Sequence, residues 1–521
     1  MQCYGRREIF SDVTEVNSEN IIKVLRQAFT THQINANDCN FLLNYEAGQQ
    51  PIMREKKYRS DIDCLCIDNV ANEITEFKLG FNWGYPITLI QRGESDSGKD
   101  NKLETEAIAL LNECYESEGM KNKTQELARF VEITGIGYVY IDTKTDNYDE
   151  GESYFSLDVL DPRCAFIVRS SRYIDHRPIL GVTYRQDSNG NTYFTCFTAD
   201  SRYEVVNLVK IINGDEVEEF EEGGKWSQDV RSGEINPLGI IPIVEYIRSH
   251  DRMGCFERQI PELDNLNLLA SDFSNDVDQN TQAIWHCNDV RFPEDEETGE
   301  VVTPKTNDWL QTYTTKDGKT PFVTPLTVNY DYNGMLNNYI TRRALILQKC
   351  SVPQRNDNSG GSTGIAMSDA TGWSSAEANA CKQQGIIESA KMNEVKVVLR
   401  AIAKSTHIES NNPMLSLKTK DIKPNIKRSK TYEMTTKANA YATLISHGID
   451  GRSALEVVNM FEDVNQTYAD SKKTIKEYQD SIFKKQESVS DNTNKDRIMQ
   501  DMSDQEENSP MLNGQKKEDK E

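Results

Sequence analysis

Apolar side chains recur at three-and-four spacing over Tyr332–Lys349. There Met335, Leu336, Tyr339, Ile340, Leu345, Ile346 and Leu347 predict one helix, with Arg342 and Arg343 on its polar side. Pro353 stops it, because proline cannot continue the helical ladder. The stretch that follows, from Gln354 through Arg355, Asn356, Asp357, Asn358, Ser359, Gly360, Gly361, Ser362, Thr363 and Gly364, contains no apolar side chain. With nothing to bury, it predicts a loop that only a partner would order. Helix formers return at Ala366 and run to Lys404, with Ala376, Ala378, Ala380, Ile387, Val395, Val398, Leu399 and Ile402 among them. Such a helix would be about 55 Å long, a strut for a large assembly rather than an ordinary domain helix.

Upstream, Phe256, Ile260, Leu263, Leu266, Leu269, Phe273 and Val277 keep near-heptad spacing and predict a second long helix continuing to Trp285. Between the two, Phe292–Asn329 reads as extended. It holds an acidic loop (Glu294, Asp295, Glu296, Glu297, Glu300) and a hairpin of Trp309–Thr314 and Thr320–Thr324 turning at Asp317-Gly318. Antiparallel helices enclosing a β-insert make an arm. Trp309 and Phe322 are too large for so small a module to bury, which predicts cover from a neighbour.

The N-terminal third predicts helices at Glu19–Thr30 and Cys39–Tyr45. A third spans Asp61–Phe81, on Ile62, Leu65, Ile67, Val70, Ile74 and Phe77. The glycines and proline of Gly80–Pro86 end that helix before a strand at Ile87–Gln91. Helices at Lys102–Tyr115 and Lys123–Thr134 and a strand at Tyr138–Asp142 follow. The middle third is β-rich, with strands at Ser153–Val159, Ala165–Arg169, Ile179–Arg185, Thr192–Phe197, Tyr203–Leu208 and Val217–Phe220. Asn189-Gly190 and Asn213-Gly214 are its hairpin signals. Past His407, helices are expected at Tyr432–Ser446, Ser453–Phe461 and Tyr468–Phe483, and a charged disordered tail from Lys484. The class is α+β.

Charge narrows the function. The net charge of −24 gives an average surface that repels nucleic acid. Eleven cysteines, an odd number without a framework pattern, predict reduced thiols, and Cys64-x-Cys66 has no second pair at zinc spacing. No run long enough for a transmembrane helix occurs, and the first residues lack a signal-peptide core.

Motifs that invite an enzyme fail on chemistry. Gly93–Lys99 has the G-x-x-x-x-G-K spacing of a phosphate loop, and Tyr138–Asp142 could supply a magnesium-binding Asp. Asp100, however, stands where the magnesium-binding hydroxyl belongs, and Glu94 and Asp96 would repel phosphate. Gly360-Gly-Ser362-Thr-Gly364 matches a hydrolase elbow in spacing but follows a polar loop instead of a buried strand. The six histidines are dispersed without ligand spacing, so no catalytic residue, metal or cofactor is expected.

Several stretches, taken in order, resemble the portal proteins of tailed bacteriophages, especially those of long-tailed phages, over roughly residues 40–480. They are Asp68-Asn69 through Lys78-Leu-Gly80-Phe-Asn-Trp-Gly84-Tyr-Pro86-Ile87; Gly135-Ile-Gly137-Tyr-Val-Tyr-Ile; Leu160-Asp161-Pro162 with Phe166-Ile-Val; Asn236–Tyr246; and Leu263 through Asn275-Asp276. Trp83 and Tyr85 stand where the family pattern has smaller residues, and residues 1–40 have no counterpart.

The resemblance implies a portal fold with an α/β wing, two-helix stem, small β clip, long wing and tunnel helix, and helical crown. It divides the chain into an N-terminal helical segment (1–60), wing (61–250), stem helix (251–288), clip (289–330) and second stem helix (331–352). A tunnel loop (353–365), long wing helix and return (366–430), crown (431–483) and tail (484–521) complete it. Arg355–Gly364 would line the channel constriction, with Arg342 and Arg343 as channel-facing stem candidates. Phe292, Glu294, Asp295, Glu296, Glu297, Trp309, Asp317 and Phe322 would meet partners at the clip. The implied assembly is a dodecameric ring in the virion, put together in the host cytoplasm. Its partners would be double-stranded DNA, the terminase large subunit, head-completion adaptors, and the major capsid and scaffolding proteins. The readings set against it are a nucleotide-hydrolysing packaging protein using Lys99 and Asp142, and a helical scaffold or adaptor without a channel.

Overall fold

A computed structural model of the chain describes residues 5–52, 62–92, 101–144, 152–172, 176–213, 216–219, 223–281, 285–288, 297–298, 322–325, 331–354, 372–428 and 433–458, with isolated positions beyond. In chain order its elements begin β1 (Ile9–Ser11), α1 (Ile21–Glu46), α2 (Val70–Asn82), β2 (Thr88–Gln91), α3 (Asn101–Ser117), α4 (Met120–Thr134) and β3 (Ile136–Thr143). The β-rich part runs β4 (Phe155–Leu160), β5 (Ala165–Ser170), β6 (Pro178–Gln186), β7 (Thr192–Phe197), β8 (Ser201–Leu208), β9 (Lys210–Asn213), β10 (Glu216–Glu219), β11 (Lys225–Gln228), β12 (Glu234–Ile235) and β13 (Ile243–Ile247). Then come α5 (Ile260–Thr281), β14 (Trp285–Asn288), β15 (Phe322–Pro325), α6 (Tyr332–Lys349), α7 (Trp373–Lys404), β16 (Ile422–Asn425), α8 (Glu433–Ser446) and α9 (Gly451–Val458). The fold is α+β, as the pattern predicts.

One sheet has the order β1-β5-β6-β7-β8-β11, with β12 also on β8. Only its β1–β5 edge is parallel. The apolar side of α1 (Ile21, Val24, Leu25, Ala28) covers Phe166, Val168, Leu180, Val182 and Phe194. Each of these side chains larger than alanine contributes roughly 1.5–3 kcal/mol on leaving water. The first residues are therefore built into the body through β1 and α1, which sequence patterning leaves without a role.

α1 is one helix where two are expected. Between the two expected helices, His32 and Asn35 are buried. His32 stacks on Phe166 at 4.4 Å with Nε2 3.1 Å from the Arg163 carbonyl, and burial pushes its pKa down to about 4, keeping the ring neutral. Asn35 accepts from the Arg7 N–H at 2.9 Å and donates to the Arg7 carbonyl at 2.8 Å.

A second, antiparallel sheet has the order β13-β3-β4. Against it pack α3, α4 and α7, through Leu111, Leu127, Val131, Val395, Val398 and Ile402 on Val139, Ile141, Phe155 and Leu157. Gly135 turns α4 into β3 at φ 82°, and a Cβ there would stand 2.5 Å from the Arg252 carbonyl oxygen, so only glycine fits. α7 has 32 residues, about 48 Å. The start expected for it at Ala366 lies outside the described residues, as does almost all of the helix expected at Tyr468–Phe483.

Two further expectations are corrected. The helix expected over Asp61–Phe81 begins only at Val70, and residues 62–69 are not helical. The helix expected to reach Trp285 ends at Thr281, and Trp285 opens β14, which pairs antiparallel with β15.

Candidate functional site

The polar side of α5 carries Asn267, Ser271 and Asn275, all buried, one turn apart. Residues 62–69 lie along it as a strap. Asn275 accepts from the Cys64 N–H at 2.7 Å and donates to the Cys64 carbonyl at 3.0 Å. Ser271 Oγ accepts from the Cys66 N–H at 2.9 Å, and Asn267 Oδ1 accepts from the Asp68 N–H at 2.9 Å. The two repeats are commensurate. Two extended residues advance about 6.6–6.8 Å and four helical residues about 6 Å, so alternate strap residues meet successive turns. This ladder overrides the helical pattern of Ile62, Leu65 and Ile67. Its signal in the sequence is the Asn267-Ser271-Asn275 spacing, four residues apart along α5.

α6 closes the other side of the strap. Tyr339 Oη donates to Asp68, Arg343 Nε donates to Asp68 Oδ2 at 3.1 Å, and Arg343 also pairs with Glu73 on α2. Arg342 reaches Glu262 of α5 at 3.7 Å, with both side chains partly exposed. Arg343 thus ties α6 to the strap and α2, while Arg342 spans the helix pair. Next to the Tyr339 side, α6 leaves Leu336 47% and Ile340 53% exposed. On a helix these two positions share one stripe.

Both ends of the segment expected to form the tunnel loop are held together. Ser351, at φ 54°, accepts at its carbonyl from Lys78 Nζ at 3.3 Å, and its hydroxyl accepts from Asn379 Nδ2 of α7 at 3.2 Å. Gln354 donates back to the Ala344 carbonyl at 2.6 Å. A Cβ on Gly372 would stand 3.9 Å from the Pro353 Cα, and Trp373 sits edge-on to Phe77 and Phe81. The chain leaves and returns at one place. Arg355, Asn356, Asp357, Asn358, Ser359, Gly360, Gly361, Ser362, Thr363 and Gly364 lie outside the described residues.

At the arm, β14 and β15 form its base. Phe322 on β15 is exposed and meets His286 edge-on at 5.3 Å. Glu297 falls in a short described turn; Phe292, Glu294, Asp295, Glu296, Trp309 and Asp317 lie outside the described residues.

Where α2, α4 and α7 converge, the Glu132 carboxylate is fully buried. It accepts from Trp83 Nε1 at 3.1 Å, Gln383 Nε2 at 2.7 Å and Arg248 Nε at 2.8 Å. Burial opposes its charge, but Arg248 and these donors outweigh that and hold the carboxyl below the ordinary range. Trp83, large for its place in the family pattern, is thereby accounted for: its ring is core and its N–H serves Glu132.

The near-miss phosphate loop Gly93–Lys99 lies outside the described residues. Asp142 is on β3, whose neighbours are both antiparallel, unlike the parallel strand a phosphate loop requires. Its oxygens accept from Tyr140 Oη at 2.7 Å and the Thr143 N–H at 2.8 Å. Among the described residues no group of His, Cys, Asp and Glu could hold a metal ion, and no helix is long and apolar enough to cross a membrane.

No curated protein matches the sequence. A protein-family model does, over residues 35–481: that of the phage portal protein, SPP1 Gp6-like. The match takes in the strap, both arm helices, the arm and α7, and the chain belongs to this family of phage portal proteins.

Proposed function

We propose that this portal subunit closes with its copies into a dodecameric ring around a channel, through which double-stranded DNA is packaged and later ejected. Portal membership supports a capsid-associated ring at the portal vertex of the virion. The observation that carries the finer reading is the helix pair. α6 is fixed to α5, the strap and α2 on one side, while Leu336 and Ile340 remain bare on another. A bare stripe on a rigid strut fits the repeated contact of a ring.

In this reading α5 and α6 are the stem and residues 289–330 the clip. Residues 61–250 are the wing, 431–483 the crown, and α7 the long wing helix. Phe322, Trp309 and the acidic residues Glu294–Glu297 would meet the terminase large subunit and then the head-completion adaptors, and the outer body would meet capsid and scaffolding proteins. Arg342, Arg343 and the loop Arg355–Gly364 would face DNA. Arg355 brings one positive charge per subunit, offset by Asp357, which favours brief phosphate contacts over lasting ones. The subunit works as a passive guide and needs no catalytic group.

Deleting Ser359–Gly361 tests the loop. Rings should still form, while DNase-protected packaged DNA, or its retention, falls. Normal packaging with normal retention in that variant removes the claim.

A further inference from the structure

One edge of the β13-β3-β4 sheet borders a cleft, with Ile243 3% exposed and Glu245 and Ile247 partly exposed. The Arg248 N–H donates to the Gly135 carbonyl at 3.0 Å, and the Ile141 N–H to the Pro242 carbonyl at 3.0 Å. These two bonds fix the register: the even-numbered residues of β13 bond to β3. The backbone groups of Ile243, Glu245 and Ile247 therefore point away from β3. β13 has no second neighbour among the described residues. Ile243 and Glu245 line a cleft of about 430 Å³ whose far walls are Arg169 of β5 and Asn393, Lys396 and Arg400 of α7.

The cleft is basic on an acidic protein. Asn393, Lys396 and Arg400 fall at helical spacing on one face of α7. Lys396 is exposed and has no ion-pair partner among the described residues. Arg400 donates to the Gly239 carbonyl at 2.8 Å. The one carboxylate in the lining, Glu245, is already shared between Arg169 at 2.9 Å and Arg252 at 2.5 Å. Against a net charge of −24, this local excess of positive charge departs from the average surface.

We propose that the cleft binds an extended, acidic segment of a partner protein, added as a strand to the free edge of β13. Its backbone pairs with Glu245 and with Ile247 beside the cleft, and its carboxylates face Lys396 and Arg400. Main-chain bonds supply affinity in such strand addition, and the flanking charges select the sequence. The inference stands on the groove alone and does not depend on the channel reading.

The test uses the full chain as it assembles and a fluorescein-labelled peptide alternating Glu and Val. Controls alternate Lys and Val, or carry N-methyl groups on every residue so that neither edge can be added as a strand. Saturable binding is expected for the first peptide alone, weakened by salt and weakened about tenfold or more in Lys396→Glu, a change at an exposed position that leaves thermal melting unaltered. Hydrogen exchange should show new protection at Glu245 and Ile247 when the peptide binds. Equal binding by the N-methylated peptide, or by Lys396→Glu, overturns the proposal. So does absence of saturable binding, whether a second copy or the chain's own residues 484–521 already fill the groove.

Discussion

Asn275 holds Cys64 by its backbone, accepting from the N–H at 2.7 Å and donating to the carbonyl at 3.0 Å. A side-chain amide carries the same donor and acceptor as a peptide group, so here a helix does the work of a neighbouring strand. Asn112 of α3 does the same to Leu89 of β2, accepting at 3.0 Å and donating at 2.9 Å. Asn35 treats Arg7 alike. Segments that have no sheet on one side are thus still bonded, at chosen residues, to the helices beneath them.

Asn275→Ala should free the strap. It removes both bonds to exposed Cys64, a local cost of about 0.5–1.5 kcal/mol per bond. Hydrogen exchange should accelerate over residues 62–69 while the β5-to-β8 sheet keeps its protection. Unchanged protection at Cys64 would mean the ladder is not what holds the strap.

Glu132→Ala should be among the most damaging single changes. It leaves the Arg248 guanidinium buried without its partner, and breaking such a pair costs about 3–5 kcal/mol. Thermal melting should fall sharply, and the double change Glu132→Ala with Arg248→Met should recover part of the loss. A double variant no more stable than the single one would contradict this account of the buried charge.

Leu336→Glu with Ile340→Glu should act on assembly and spare the subunit. Both side chains are about half exposed, so neither supports the chain's own core. Sedimentation should show smaller species than wild type with unchanged circular dichroism. Wild-type assemblies from this variant would place the subunit contact elsewhere.

How far the sequence is legible depends on what each residue faces. α6 was readable to its ends, Tyr332 and Lys349, because Asp331 caps its start through the Gly334 N–H and Pro353 follows its end. Most strands of the large sheet were readable from β-branched runs, since their partners are adjacent in sequence. Residues 62–69 escape the pattern because Leu65 and Ile67 imitate a helical stripe although both are exposed. What decides their shape is the polar row on α5, some two hundred residues away. The same reason hid the continuity of α1, where His32 and Asn35 look solvated in sequence and are buried in the fold. At the site, Arg342 and Arg343 were visible as charges, but not their partners Glu262, Asp68 and Glu73. Short-range pattern reports which residues seek burial; it does not report which polar residues have found a distant backbone.

Electron microscopy of the purified full-length protein tests the central claim most directly. The account predicts closed rings with an open central channel, twelve subunits around in the assembled vertex, and α5 and α6 running along the channel wall. Monodisperse single subunits at micromolar concentration across a range of salt, or compact assemblies with no channel, would contradict it.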